Sequence, residues 1–248
     1  MSTPPPTLRI TLIGLVSLAI AMGIGRFAYT PLLPMMQADG LVGISDGGIL
    51  ASVHFLGYWL GAVFAPRLGR SPRHLLRLSL IAVAVCTLGM GGTDNLGLWL
   101  VYRWLAGVFS ATTMILISNY YVNHLAKLGR DDKQGWIFSG VGVGIALAGL
   151  ATLALMMGEV SSARSWQLIG AVTLVGVLVV CLRLGPELPP RALAAADHGG
   201  QRTPLIWRHV IAYGATGLGS VVPATYLPIM ARETIDSPIV FGCSWPLF

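Results

Sequence analysis

Seven stretches of this chain are long and apolar enough to cross a lipid bilayer, and short polar connections separate them. A hydrocarbon core about 30 Å thick takes about 20 apolar residues per helix. The runs fall at 8–36, 47–66, 75–92, 96–122, 136–157, 166–184 and 206–230, and an eighth begins near Ile239. The connections carry turn-forming and polar residues, such as Arg70-Ser71-Pro72-Arg73 and Gly129-Arg130-Asp131-Asp132-Lys133. Only 10% of the residues are charged, against about 25% in a soluble domain. The chain cannot cover itself with a solvated surface, so lipid is the expected solvent and the expected class is an all-α membrane protein.

Two of these runs repeat one pattern. Gly23-Ile24-Gly25 is followed by Leu33-Pro34-Met35-Met36, and Gly217-Leu218-Gly219 by Leu227-Pro228-Ile229-Met230, at a constant offset of 194 residues. Self-similarity at this scale points to two copies of one bundle. The stretch between the copies holds Pro186, Pro189 and Pro190, then an Ala run, then His198-Gly199-Gly200-Gln201, and reads as a flexible linker. The expected organisation is a six-helix bundle over 1–184, a linker over 185–205, and the first helix with part of the second helix of a second bundle over 206–248. An apolar run interrupted at Phe248 creates the expectation that the gene product continues.

Basic residues give an orientation. One side receives Arg9; then Arg67, Arg70, Arg73 and Arg77; then Lys127, Arg130 and Lys133; then Arg183, Arg191, Arg202 and Arg208. The other receives Arg164 and Arg232, while Arg26 and Arg103 lie within runs. The positive-inside rule then puts the N-terminus and the linker in the cytoplasm. The net charge of +6 is explained by this asymmetry. The basic loops lack aromatic interleaving, so no nucleic-acid partner is expected. Cys86, Cys181 and Cys243 fall in apolar segments at spacings that fit no metal site, and are expected to be buried thiols and not disulfides.

Six spans, a cytoplasmic linker and a parallel repeat form the layout of major facilitator transporters. The run Gly23-Ile24-Gly25-Arg26-Phe27-Ala28-Tyr29-Thr30-Pro31-Leu32-Leu33-Pro34-Met35-Met36 resembles the first helix of the YbfB/YjiJ-like branch of that superfamily. Pro223-Ala224-Thr225-Tyr226-Leu227-Pro228-Ile229-Met230 resembles its seventh. A member has about twelve spans, so the resemblance implies a C-terminally truncated copy here. Ala62-Val63-Phe64-Ala65-Pro66-Arg67-Leu68-Gly69-Arg70-Ser71 is similar to the superfamily's cytoplasmic loop motif at Arg67, Gly69 and Arg70. Pro66 stands where that motif has Asp, which leaves its inner latch unassigned. Topology determination and headgroup contact remain as the roles of Arg67, Arg70 and Arg73. Arg103-Trp104-Leu105-Ala106-Gly107 resembles the fourth-helix motif, whose Arg the resemblance ties to proton coupling or substrate.

Several residues inside the spans are unusual for lipid. A guanidinium facing lipid costs at least about 2.5–3.5 kcal/mol, so Arg103 should face the bundle interior, as a pathway residue or as one satisfied by backbone carbonyls. Arg26 has Ser220 as its repeat counterpart. The glycines, Leu-Pro and Met recur while the charge does not, which makes Arg26 a candidate for function. Its alternative is snorkelling outward, with Phe27 and Tyr29 as interface anchors. His54 and Tyr58 share a face of the second run. A lone intramembrane His more often packs and hydrogen-bonds, and proton relay is the other role open to it. Gly23, Gly25, Gly57, Gly61, Gly107, Gly140 and Gly144 are expected at close helix contacts. Pro31 and Pro34 should kink or break the outer end of the first span.

No catalytic constellation, metal-ligand spacing or cofactor motif is present in the sequence, so an enzyme is not expected. The resemblance implies a secondary active carrier working by alternating access in a bacterial inner membrane, with a small solute and protons as partners. Two intramembrane arginines without an intramembrane carboxylate suggest an anionic or carbonyl-bearing solute. The competing expectation is a non-transporting membrane protein or an inactive half-transporter.

Overall fold

The computed structural model describes residues 6–65 and 71–184, with isolated positions between 208 and 223. Every regular element among the described residues is helical. Six helices are long and apolar enough to cross a membrane: α1 (Thr7–Ala38), α2 (Ile44–Phe64), α3 (Pro72–Met90), α4 (Leu96–Lys127), α5 (Asp131–Met157) and α6 (Ser162–Arg183). The linker, most of the seventh run, Cys243 and the loop residues Arg67, Gly69 and Arg70 lie outside the described residues.

Helix ends differ from the hydropathy limits where polar residues complete a turn. α2 starts at Ile44 because the Asp46 carboxylate accepts from the Gly43 N–H at 3.3 Å, satisfying a donor that the first turn leaves open. α3 starts at Pro72, where a missing N–H costs nothing. α6 starts at Ser162, whose N–H donates to the Asp39 carboxylate at 2.7 Å. The end of α1 thereby caps the start of α6.

At the other end of α6, three arginines meet the terminal carbonyls. Arg9 donates to Arg183 O through Nε and Nη2, at 3.1 and 2.8 Å. Arg73 donates to Leu184 O at 2.8 Å and Arg77 to Cys181 O at 2.9 Å. A loop position with headgroup contact is the sequence expectation for Arg73, while Arg77 falls inside the third apolar run. The structure places both in α3, because helix formation from Pro72 turns them toward α6, where cations complement the helix dipole. Just before α5, Arg130 grips Asp132 of that helix's first turn with two hydrogen bonds of 2.9 and 3.1 Å. These bonds hold the Asp132 carboxyl down at about 2.

α1 is the most enclosed helix, with 67% of its apolar window buried against 28% for α5. Two seams of small residues allow the close approaches. On α2, a side chain at Gly57 would collide with the Trp104 backbone of α4, and one at Gly61 with that of Val108. From α4, Gly107 faces the His54 carbonyl. On α5, Gly140 and Gly144 meet the backbone of α1 at Leu15 and Ala19, and Gly23 of α1 meets Gly144 in return. Gly25 contacts Val83 of α3 and Ser110 of α4. Gly142 looks the other way and meets nothing within 4 Å.

The packed interior divides in two along the helices. One cluster gathers Ile10, Met22, Leu76, Val83, Leu116 and Val177, and Tyr58 packs against it. The other gathers Ala28, Leu50, Ala51, Trp99 and Trp166. Arg26 falls between Met22 and Ala28 on α1, His54 between Ala51 and Tyr58 on α2, and Arg103 between Trp99 and Leu116 on α4.

Candidate functional site

The polar side chains at this break between the two apolar clusters are placed by a defect in α1. Residues Ala19–Ile24 form a π-helical turn, the kind of bulge often found at functional sites. The Gly25 N–H reaches back to Ile20 O, so Ala21 O loses the donor it would have in an α-helix. Ser110 of α4 supplies a replacement, its hydroxyl donating to Ala21 O at 2.7 Å. One helical turn before Ser110 on that face come Gly107 and then Arg103. The bulge therefore fixes the register of α4 against α1 and carries Arg103 to the level of Gly25 and Arg26.

α1 is irregular again at Ala28, which sits in a turn between Gly25–Phe27 and Tyr29–Ala38. Pro31 explains this. It has no N–H for Phe27 O, and its ring crowds that carbonyl. Ala28 itself keeps helical dihedrals, φ −60° and ψ −25°, so the irregularity next to Arg26 is one of hydrogen bonding, and Pro34 is accommodated inside the Tyr29–Ala38 segment.

Arg103 is buried, at 4% exposure. Its guanidinium lies 4.4 Å from the centre of the Tyr29 ring, and Nη1 makes one long contact of 3.5 Å to Gly25 O. Nε has no hydrogen-bond partner within the protein. The carbonyl-satisfied alternative for this residue is therefore only weakly met. Tyr29 corrects the interface-anchor expectation. It is 2% exposed, and its hydroxyl donates to Gly47 O of α2 at 2.8 Å. Burial of the ring against Arg103 wins over a place at the membrane surface.

Arg26 is half-buried, and its guanidinium sits among three rings: Phe27 at 4.9 Å, Phe55 at 5.0 Å and Tyr58 at 5.3 Å. Cation–π contact stabilises a cation away from water, which accounts for its position inside the bundle. Its Nε also has no hydrogen-bond partner within the protein. His54 is wholly enclosed, with Nδ1 3.1 Å from Arg103 O. A carbonyl can only accept, so Nδ1 carries the hydrogen, and in the neutral ring Nε2 then presents its lone pair. That Nε2 has no partner within the protein.

The structure thus brings Arg26, Arg103, His54 and Tyr58 to one level of the bundle, and adds Tyr29 and Phe55, which sequence reasoning did not assign to a site. Phe55 carries no periodic signal of its own, and Tyr29 reads equally well as an anchor. Among the described residues no acidic side chain pairs with either intramembrane arginine; Asp132 pairs instead with Arg130 and Lys133 at the start of α5. No group of three or more His, Cys, Asp or Glu gathers among them either.

Six helices long and apolar enough to cross a bilayer, packed as one bundle, define a multi-pass membrane protein. The family described as "Uncharacterised MFS-type transporter YbfB" matches residues 18–248, and the chain belongs to that family. Among solved structures, the nucleoside transporter NupG has the same fold, with a TM-score of 0.62 at 17% identity. That similarity covers 96% of this chain and 62% of NupG, so the chain spans less than two thirds of its neighbour's length. A search of curated proteins finds no match.

Proposed function

We propose that this chain belongs to a secondary active transporter that moves a small anionic or carbonyl-bearing solute by alternating access. The observation that carries the reading is the pair of intramembrane guanidinium groups, Arg26 and Arg103, each with an unpartnered Nε and without a carboxylate. Uncompensated cations inside lipid are expensive, and an anion between them would offset that cost. In this reading solute contacts Arg26 and Arg103, Tyr58 borders it, and His54 holds α2 against α4 through Arg103 O. A second bundle would supply the facing wall, with the solute near the bilayer midplane. The membrane is a bacterial inner membrane and the N-terminus faces the cytoplasm, on the strength of the basic-residue asymmetry. Protons are the coupling ion by family resemblance, and neither catalysis, a cofactor nor nucleic acid enters.

The test is flux by the complete gene product in proteoliposomes, with acetate, lactate and benzoate as anionic probes and a neutral nucleoside as the contrast. Removing one charged hydrogen-bond partner costs about 1.5–3 kcal/mol, so Arg103→Ala should weaken apparent affinity for the transported anion about ten- to a hundredfold. Parental affinity in Arg103→Ala, or transport of the nucleoside but of no anion, would remove the arginines from the solute site.

A further inference from the structure

A cavity whose lining includes none of the arginine-level residues opens between α3, α4 and α6. It holds about 940 Å³, and its walls include Val85, Leu88, Gly89, Tyr102, Leu168 and Arg164. All three helices contribute from the same end of the bundle: the last turns of α3, the second turn of α4 and the first half of α6. Arg164 lies at the mouth, two residues after the start of α6. Leu168 and Ala171 follow on the same helical face, and Ala171 lies about 10 Å further in along the axis. The groove therefore runs from a cation at the helix ends to apolar walls at depth.

Its polar inventory is short. Gln167 commits its amide nitrogen to Gly91 O, at 2.8 Å. Arg164 is exposed and forms no ion pair among the described residues. No carboxylate lines the groove. Arg164 is also the sole basic side chain among the described residues at this end, where every other helix end and connection is neutral or acidic. Glycine at position 89 lets the Tyr102 ring close on α3, since a Cβ there would stand 2.9 Å from the ring.

We propose that this groove binds one anionic phospholipid of the adjacent leaflet. The lipid phosphate accepts from the Arg164 guanidinium, and an acyl chain lies along Leu88, Tyr102 and Leu168. Charge complementarity selects the headgroup: a planar donor fork suits a phosphate, and no carboxylate lines the groove itself, Asp94 and Glu159 standing in the adjoining connections. The gradient from Arg164 to Ala171 matches the shape of a lipid, in contrast to a free anion, which would leave the apolar depth empty.

The full chain, reconstituted in phosphatidylethanolamine with phosphatidylglycerol and extracted gently, is examined by native mass spectrometry. Parent protein should retain one phosphatidylglycerol, enriched about fivefold over its bulk share, as one basic residue at a membrane surface supports. Arg164→Ala should lower that enrichment to the bulk share, and Arg164→Lys should keep part of it. Ala171→Trp, which fills the groove and leaves the cation in place, should lower retention of both lipids. Monodisperse elution of each variant controls for folding. Undiminished enrichment in Arg164→Ala, unchanged retention in Ala171→Trp, or no retained lipid in the parent would each overturn the assignment.

Discussion

Gly57→Ala tests the seam that holds the arginine level together. The new Cβ would stand against the Trp104 carbonyl of α4, well inside van der Waals contact, and the obstacle is backbone, which cannot rotate away. To regain the about 3.5 Å of an ordinary contact, α2 must retreat by about 1 Å. His54 lies three residues before Gly57, on the same face. The retreat therefore stretches its 3.1 Å bond to Arg103 O past useful length. Overpacking costs about 1–3 kcal/mol and the buried hydrogen bond about 0.5–1.5 kcal/mol. Exchanging Gly for Ala returns about 1 kcal/mol of helix propensity. The net loss is about 1–3 kcal/mol, or roughly five- to a hundredfold in the folded-to-unfolded ratio. Gly142→Ala, where the Cβ meets nothing within 4 Å, collects the propensity gain alone and should stabilise. The assay is unfolding by sodium dodecyl sulfate in mixed micelles, followed by far-UV circular dichroism. Opposite signs for the two variants are expected. A Gly57→Ala protein as stable as the parent, or shifted like Gly142→Ala, would refute the close packing of α2 on α4.

Other parts of the structure give separate expectations. Tyr29→Phe removes the hydroxyl bonded to Gly47 O and should cost about 0.5–1.5 kcal/mol in the same unfolding assay, with the ring's contact to Arg103 kept. Asp39→Ala leaves the Ser162 N–H without its carboxylate and should destabilise by about 0.5–2 kcal/mol, while Asp39→Asn, which can still accept, should cost less. The Asp132 carboxyl, held at about 2 by Arg130, should titrate by NMR well below the usual value of about 3.9. Because its folded value is depressed, the pair's contribution is complete above about pH 4 and disappears as pH falls through about 2. Arg130→Ala should return the titration midpoint toward 3.9.

Much of the architecture was legible because lipid forces simple patterns. Apolar run length located six helices, and glycines at fourfold spacing marked the faces that approach closely, Gly57-Gly61 on α2 and Gly140-Gly144 on α5. Arg103 could be placed in the interior from the cost of its charge alone. What the sequence withheld depends on contacts between distant segments. The π-helical turn at Ala19–Ile24 has no composition signal, since it is a register defect stabilised by Ser110 on another helix. The ring cage of Arg26 joins Phe27 to Phe55 and Tyr58 across two helices, so periodicity along either one does not show it. Arg73 looked like a loop charge because the apolar run begins only at Leu75, whereas α6 offered it and Arg77 carbonyls to bind.

The central claim is that Arg26, Arg103 and their neighbours line a path that opens to each side of the membrane in turn. Tyr58 borders this level and is half-buried. The measurement is labelling of Tyr58→Cys, in a background with Cys86, Cys181 and Cys243 replaced by Ser, by a membrane-impermeant thiol reagent in right-side-out and inside-out vesicles of the complete gene product. Labelling from both sides, slowed by a transported anion, is the predicted result. Labelling from neither side, or from one side alone under every condition, would contradict it.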